Sequence, residues 1–344
     1  MKLILALIAL ALIPSRTAPA QQKPAVPEAD RVRIAEAFSM AESLGERVWE
    51  GWDKAPFALL LVTPEHEFLI RHPRPSADFA PLGRDPVLRG DVYFRKRQFG
   101  TNLLATFPAV GGVPTVVIGQ AENTSKKTST PWVVTVLHEH FHQLQNSQPT
   151  YYADVNALNL SRGDQTGMWM LNYAFPYSSP EVSRHFNAMS RALAEALRAR
   201  NRAELSAKVA AYLEARKEFA RLLSPDDYKY FSFQVWQEGV ARYTEYRVAE
   251  LAAKSYRPSR AFRALKDYKP FKTVADEIRA GILNELTTLR LEGEHYRRVA
   301  FYPFGAGEAL LLDRINPGWK SRYLTDKFYV DRYFDSARRR RTRP

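Results

Sequence analysis

The chain has 344 residues, a net charge of +13 and no cysteine. The absence of cysteine excludes disulfides, thiolate metal sites, a cysteine nucleophile and an N-terminal lipid-bearing cysteine. The positive charge favours anionic partners, but no basic motif is interleaved with aromatic residues, so we do not expect a nucleic-acid partner.

The first twenty residues are typical of a secretory signal peptide. Lys2 gives a positive start, residues 3–13 are an unbroken apolar run, and residues 18–20 (Ala-Pro-Ala) form a small-residue cleavage signal before Gln21. This run is too short to span a bilayer, which needs about 20 residues, and no later stretch is long enough. We therefore expect an exported protein without a transmembrane segment. Because it has no disulfides, a bacterial periplasm or secretion from a bacterium suits it best.

Elements follow in a clear order along the chain. Residues 21–28 form a Pro- and Gln-rich linker, and apolar residues at helical spacing predict a helix over 29–52. Short apolar or β-branched runs separated by Pro and Gly then predict strands of a mixed or antiparallel sheet at 57–62, 67–70, 91–94, 102–107 and 114–118. Helices are predicted at 131–146, 180–200, 202–223, 229–254, 272–291 and 297–315. Strands first and helices afterwards predict an α+β fold.

The same order predicts the domain organisation. A helix and a β-rich subdomain are expected over 29–130, and a mostly helical domain over 131–335. The last residues, 336–344, contain a run of arginines. Such a run is typical of a solvated, disordered tail, and its functional alternative is weak contact with an anionic envelope surface.

The most informative segment is His138-Glu139-His140-Phe141-His142, which follows an apolar run typical of a buried helix. On a helix, His138 and His142 lie one turn apart on the same face, so both imidazoles can reach one metal ion. Glu139 is offset by one residue and can reach a water at that metal. This is the H-E-x-x-H arrangement of zinc metallopeptidases. His140 points away from the shared face and is expected to be a packed side chain or a support for the ligands.

A catalytic zinc usually has three protein ligands and keeps its fourth position for water. No third His follows His142 closely, so the third ligand must come from elsewhere. Glu238 is followed by the small residues Gly239 and Ala241, which let its helix approach another helix closely. We predict Glu238 as the third ligand and Glu245, two turns along the same face, as a hydrogen-bond acceptor behind the ligands. The alternative is an ordinary amphipathic helix with exposed carboxylates.

With these residues the chain resembles the gluzincin peptidases of the peptidase MA-like group, in particular the aminopeptidase-N-like enzymes. Their second motif reads W-x-x-E-G-x-A-x-Y-x-E, and E-G-x-A-x-Y-x-E is intact from Glu238 to Glu245. Trp236 lies one position nearer to Glu238 than in the family. The resemblance implies a thermolysin-like catalytic core that binds one zinc ion, with Glu238 in the ligand role.

Two further segments are similar to parts of that family. Tyr302 opens Tyr-Pro-Phe-Gly-Ala, where the family has Y-x-K-G-A and uses the tyrosine to donate a hydrogen bond to the reacting oxyanion; Phe304 replaces the lysine here. Glu122 lies in Gly-Gln-Ala-Glu-Asn, where the family has G-x-M-E-N and uses the glutamate to hold the free amino group of the substrate. The residues alone also permit purely structural roles. In that case Tyr302 is a packed tyrosine at a helix start, and the segment of Glu122 is a simple strand exit.

The chain departs from the family between its two metal motifs. His142 and Glu238 are 96 residues apart, far more than in the aminopeptidases, so a looser gluzincin relative fits as well as a true aminopeptidase. The helices of the insert at 143–237 are candidates for a roof over the cleft.

The expected activity is zinc-dependent hydrolysis of peptide or protein substrates, with Glu139 as general base. The alternative is a non-catalytic envelope protein, a binding or assembly factor that retains a metallopeptidase fold. Glu139 argues against that alternative, because a structural zinc site does not need it and is usually closed by four protein ligands. No G-x-S-x-G motif occurs, so serine hydrolysis has no support.

Overall fold

The structure is a computed structural model that describes residues 24–288, 290–293 and 296–335. The predicted leader at 1–20 and the predicted tail at 336–344 lie outside these residues. Within the described ranges, every helix is either too short or too polar to cross a bilayer.

The first part of the described chain is a helix followed by a six-stranded mixed sheet. The elements are α1 (Glu28–Val48), β1 (Leu59–Val62), β2 (His66–Ile70), β3 (Ala80–Asp85), β4 (Gly90–Lys96), β5 (Leu104–Val110) and β6 (Val113–Gly119). They lie in the order β3-β4-β2-β1-β6-β5. β1 and β6 pair in parallel and the other neighbours pair antiparallel. β5 is therefore an edge strand.

The strand that the sequence pattern does not predict is β3. It contains Pro81 and Gly83, its residues are mostly exposed, and its pairing with β4 shifts register between these two positions. A proline is tolerated there because one side of an edge strand needs no ladder partner. Without a buried face, β3 has no hydrophobic alternation that would predict it.

Helices make up the second part of the described chain, which confirms the predicted α+β fold. They are α2 (Ser129–Asn146), α3 (Tyr151–Ala157), α4 (Trp169–Asn172), α5 (Pro180–Arg198), α6 (Arg202–Leu222), α7 (Pro225–Gln234), α8 (Val240–Ser255), α9 (Arg260–Arg263), α10 (Phe271–Thr288), α11 (Phe301–Ile315) and α12 (Lys320–Tyr323). A π-helical turn at Val235–Gly239 joins α7 to α8, so the predicted helix over 229–254 is one rod with a wide turn inside it. α3, α4, α9 and α12 are too short to give a helical period in the sequence.

α2 is buried between the sheet and the other helices. In β1, Leu59 and Leu61 belong to the large core shared with the helices, whereas Leu60 and Val62 belong to a small cluster on the other face of the sheet. α2 is buried along almost its whole length, which explains the unbroken apolar run before His138.

α11 crosses the π-helical turn at a very short distance. A Cβ atom added at Gly239 would lie 2.5 Å from the Cα of Gly305, and one added at Gly305 would lie 2.7 Å from the Cα of Gly239. Only glycine allows this approach, so the predicted close contact beside Glu238 is confirmed. Tyr302 lies one helical turn before Gly305, which brings it to Glu238.

Candidate metal centre

His138, His142 and Glu238 converge on one point, with the two imidazoles supplied by α2 and the carboxylate by the π-helical turn. The two Nε2 atoms are 3.2 Å apart, and Oε2 of Glu238 lies 3.4 Å from Nε2 of His142 and 3.7 Å from Nε2 of His138. Tetrahedral zinc with bonds of about 2.0–2.1 Å holds neighbouring ligand atoms roughly 3.3–3.4 Å apart. The three atoms therefore have the spacing of three corners of such a site.

The π-helical turn determines where Glu238 points. It holds an extra residue compared with an α-helical turn, a feature that often occurs at functional sites. Trp236 in the same turn packs inward, stacks on Tyr323 with ring centroids 4.8 Å apart, and donates from its indole nitrogen to the Tyr323 carbonyl over 3.1 Å. Glu238 faces α2 and keeps 17% of its side-chain surface exposed. The site is therefore reachable from solvent on the Glu238 side.

His138 is backed by a carboxylate. Its Nδ1 lies 3.0 Å from Oε1 of Glu245, whose other oxygen pairs with the Arg242 guanidinium. A carboxylate at Nδ1 favours the tautomer that leaves Nε2 free for a metal. Glu245 thus lies within 3.0 Å of His138, and its role as an acceptor behind the ligands stays a prediction.

The carboxylates give the site a strong negative field. Burial alone would lower the pKa of His138, but Glu238 and Glu245 outweigh it and raise this pKa to about 10. Burial alone would raise the pKa of Glu238, but the two histidines and Arg298 hold it well below its usual range. A field that attracts a proton this strongly also attracts a divalent cation, for which the proton would have to leave.

His142 is held by an amide. Its Nδ1 lies 2.6 Å from Oε1 of Gln145, three residues later on α2. The Gln145 amide nitrogen donates to the Gln237 carbonyl over 3.2 Å and to the Tyr323 hydroxyl over 2.7 Å. Gln145 therefore fixes the imidazole and ties α2 to the turn that carries Glu238. The sequence analysis missed this residue, although its spacing from His142 places it one turn away.

Glu139 lies beside the ligands and is held by the edge strand. The hydroxyl of Thr106 on β5 lies 2.9 Å from Oε2 of Glu139 and 2.8 Å from its backbone oxygen. Glu139 is buried and is not one of the three converging groups. No sequence signal points to Thr106, because it meets Glu139 only through the packing of β5 on α2.

Tyr302 and Arg298 border the centre from α11 and the turn before it. The rings of Tyr302 and His138 are nearly parallel, with centroids 6.5 Å apart. Arg298 donates to the Tyr302 hydroxyl over 2.7 Å, and its Nη1 lies 3.8 Å from Oε1 of Glu238. Burial and the charge of Glu238 raise the pKa of Tyr302 well above its usual range, so the phenol keeps its proton and can donate it in a hydrogen bond. Arg298 is a further residue that the sequence analysis missed, although it lies one turn before Tyr302.

Glu122 belongs to a different cluster. Its side chain is 56% exposed and pairs with Arg33 over 3.1 Å. Arg33 also pairs with Asp30 and donates to the Ser129 hydroxyl at the start of α2. His138 lies nine residues further along α2, a rise of about 13–14 Å. This position does not support the interpretation of Glu122 as an anchor for a substrate amino group at the centre.

His140 is packed, as its position on α2 predicts. Its ring stacks on Phe57 with centroids 3.7 Å apart, and its Nδ1 lies 3.0 Å from Oε1 of Gln143. Burial lowers the pKa of His140 to about 4, so the ring is neutral.

Comparison of the chain with protein-family models, curated proteins and solved structures gives no significant match. What the centre can do chemically therefore follows from its own geometry, which is two histidines and one glutamate that could hold a metal ion, beside a second carboxylate.

Proposed function

We propose that the protein is a zinc-dependent peptidase in which His138, His142 and Glu238 hold the metal and Glu139 is the general base. The observation that carries this proposal is the pairing of three converging ligand atoms with a carboxylate that is not a ligand. A structural zinc site usually has four protein ligands, whereas a catalytic one leaves a position open.

The choice of zinc rests on the ligands. Two imidazoles and one carboxylate at tetrahedral spacing suit zinc, whereas calcium and magnesium favour oxygen ligands in larger numbers. When bound, zinc would lower the pKa of a coordinated water and polarise the carbonyl of the bond to be cut.

The residues around the metal would transfer the proton and stabilise the negative charge that develops during hydrolysis. Glu139 accepts the proton of the attacking water and passes it to the leaving amine. Thr106 holds one oxygen of that carboxylate, which orients it toward the centre. Tyr302 and Arg298 are the nearby donors for the carbonyl oxygen that gains negative charge, and such donors stabilise the transition state more than the substrate.

The thermolysin-like core that the resemblance implies belongs to this proposal. Its support is the arrangement of α2 and the Glu238 turn beside an edge strand. Glu122 pairs with Arg33 and not with the centre, and this position favours cutting that does not depend on a free amino group.

The test is metal analysis of the purified protein followed by mass-spectrometric profiling of the bonds it cuts in a peptide mixture. Glu139→Gln should keep stoichiometric zinc and lose activity by about 100- to 10,000-fold, the usual contribution of a general base. Glu181→Gln, at an exposed carboxylate in the first turn of α5, is the control and should retain full activity. Equal cleavage by Glu139→Gln and the control would remove Glu139 as the general base, and no cleavage by the zinc-loaded unsubstituted protein would leave the non-catalytic envelope protein as the better interpretation.

We also propose that the protein acts outside the cytoplasm of a bacterium. The support is the leader pattern at 1–20 and the absence of cysteine. Mass spectrometry of the protein from periplasmic and cytoplasmic fractions should find its first residue at or near Gln21 in the periplasm. A cytoplasmic protein that still begins at Met1 would contradict this.

A further inference from the structure

The exposed hydrophobic side chains are concentrated beside the metal centre. In the described part of the chain, six large hydrophobic residues are strongly exposed: Val87 (43%), Tyr152 (47%), Met168 (50%), Leu171 (49%), Tyr296 (43%) and Val299 (44%). Val87 lies at the turn between β3 and β4, far along the sheet from β5. Of the other five, Tyr152 lies on α3, and four lie in two segments that contact the elements of the centre. Such a concentration usually marks an interaction surface.

The first segment is the loop at 158–179, between α3 and α5, which we call the aromatic loop. The Met170 carbonyl in this loop accepts from the Tyr230 hydroxyl over 3.1 Å and from the Gln234 amide over 2.7 Å. Gln234 lies one helical turn before Glu238. The aromatic loop is therefore hydrogen-bonded to α7, the helix that leads into the π-helical turn with Glu238.

The C-terminal end of the aromatic loop packs against α11. Phe175 packs edge-on against Phe301 with ring centroids 5.3 Å apart, and Tyr177 stacks on the same ring at 6.1 Å. Phe301 is the neighbour of Tyr302. The aromatic loop therefore contacts α7, which leads into the turn with Glu238, and α11, which carries Tyr302.

A cavity of about 430 Å³ lies in the aromatic loop, lined by apolar and aromatic residues that include Leu160, Met168, Trp169 and Tyr173 and by polar residues that include Arg162 and Asp164. This volume is in the range of ligand pockets. Its walls are fixed, because Trp169 packs on Phe233 at 5.4 Å and Tyr173 stacks on Tyr230 at 4.4 Å. Its rim is adaptable, because Met168 is exposed and methionine fits many shapes.

The second segment is the turn before α11. Tyr296 and Val299 are exposed there, and Arg298 between them contacts Tyr302 and approaches Glu238. Apolar surface therefore adjoins the centre at the turn before α11 as well as in the aromatic loop.

We propose that the cavity of the aromatic loop takes a large apolar side chain of an extended polypeptide substrate whose scissile bond lies at the metal centre. This rests on the proposed function. The aromatic loop contacts Gln234, one turn before Glu238, and Phe301, the neighbour of Tyr302, so a polypeptide bound at the centre on this side meets the loop.

The substrate class follows from the same surface. Folded proteins bury their leucine, methionine, phenylalanine and tryptophan side chains, so a chain that offers one in extended form is a peptide or a partly unfolded protein. The aromatic loop belongs to the 143–237 insert, so this preference is specific to the insert and not a consequence of the metal ligands.

The test compares two fluorescein-labelled peptides that are identical except for Phe or Ser at one position. Their binding to zinc-loaded Glu139→Gln protein is measured by fluorescence anisotropy, so that no turnover is needed. We expect the Phe peptide to bind at least tenfold more tightly. Met168→Ser combined with Leu171→Ser should remove most of this difference, because Met168 lines the cavity and Leu171 precedes the lining residue Asn172. Both side chains are exposed, so their loss does not affect the core. Val87→Ser, which is equally exposed but lies elsewhere, should keep the difference.

In the active protein, the double variant should raise KM for the Phe peptide with little change in kcat. Equal binding of the two peptides, or a preference that the double variant retains, would overturn the proposal. A preference for Phe without hydrolysis by the unsubstituted protein would remove the proposed peptidase function and leave the docking surface.

Two other occupants of the surface give distinct results, and each would overturn the proposal if peptide selectivity is unchanged in the double variant. If the surface joins two copies of the chain, the double variant should shift a dimer to a monomer in sedimentation velocity. If it binds lipid, the double variant should lose binding to phosphatidylglycerol vesicles.

Discussion

Glu308 and Glu238 are carboxylates in the helical part of the molecule, the first fully buried and the second mostly buried, and their negative charges are neutralised by different groups. Glu308 on α11 is fully buried, and its Oε1 accepts hydrogen bonds from the Tyr212 hydroxyl and from Nε of Arg216 at 2.7 Å. The guanidinium of Arg216 lies 3.4 Å from Asp331 as well. The protein therefore supplies its own cation to this carboxylate.

Glu238 faces two imidazole nitrogens at 3.4 and 3.7 Å, and its nearest arginine, Arg298, lies 3.8 Å away. Glu238 and Glu245 raise the pKa of His138 to about 10, so without a metal the positive charge at this point is a bound proton, which a metal ion would replace. An arrangement of this kind lowers its free energy only when a proton or a metal ion enters it. A buried carboxylate that pairs with a cation of the protein therefore stabilises the fold, whereas one that converges with other ligand atoms favours binding of a proton or a metal ion.

The largest effect on the free energy of unfolding is expected when Glu308 loses its charge. Glu308→Gln leaves the Arg216 guanidinium buried without its strongest partner, and breaking a buried pair in this way typically costs about 3–5 kcal/mol of the free energy of unfolding. Urea unfolding should show the same loss in zinc-loaded and in chelator-treated protein. Glu218→Gln removes a carboxylate from a surface pair with Arg221 and should change stability by less than about 1 kcal/mol. A loss confined to the zinc-loaded protein would contradict the structural role of Glu308.

The next effect concerns Glu238. Structural zinc sites with four protein ligands bind the metal with roughly 10–16 kcal/mol, which is about 3 kcal/mol per ligand. Glu238→Gln should therefore weaken zinc binding by roughly a hundredfold or more. The free energy of unfolding of the metal-free variant should fall by less than that of the zinc-loaded variant, because it loses only the contact of Glu238 with protonated His138 and with Arg298. Competition with a chelating dye and urea unfolding with and without zinc measure the two quantities. If Glu238→Gln destabilised both forms equally, the two carboxylates would not differ as we argue.

Local spacing in the sequence is sufficient for much of this centre. His138 and His142 are one turn apart on a buried helix, and a helical period needs no knowledge of distant contacts. Gly239 after Glu238 indicates a close helix contact, and the structure has it at Gly305. The order of strands and helices likewise predicts the α+β architecture.

What spacing misses depends on packing between distant segments. Thr106 reaches Glu139 because the edge strand β5 lies on α2, and 33 residues separate the two positions. The exposed strand β3 lacks a buried face, and the π-helical turn that aims Glu238 inserts one residue into an otherwise regular pattern. Gln145 lies one turn from His142 and Arg298 lies one turn from Tyr302, so a search at helical spacing around each predicted site residue finds both.

A smaller effect tests how the centre is supported. Glu245→Gln keeps the shape of the side chain but removes the charge behind Nδ1 of His138, and partners of this kind are usually worth 10- to 100-fold in metal affinity. Chelator competition should give this loss, which is expected to be no larger than that of Glu238→Gln. Glu250→Gln on the same helix is the matched control, because Glu250 pairs with Arg247 and Lys254, and it should leave zinc affinity unchanged. A loss in the control equal to that of Glu245→Gln would mean that the charge of α8 in general, and not the contact with His138, supports the metal.

The smallest effect is expected at Glu122, whose carboxylate is joined to Arg33 and not to the centre. Glu122→Gln removes a partly exposed ion pair, so the free energy of unfolding should fall by about 0.2–1 kcal/mol, and zinc affinity should not change. The ratio of cleavage rates for a peptide with a free N-terminus and its N-acetylated form should also stay the same, because the Arg33 cluster lies at the other end of α2. A tenfold fall of that ratio in Glu122→Gln would restore Glu122 as an anchor for the substrate amino group. It would then follow that the Arg33 cluster, like the metal centre, serves binding and not stability.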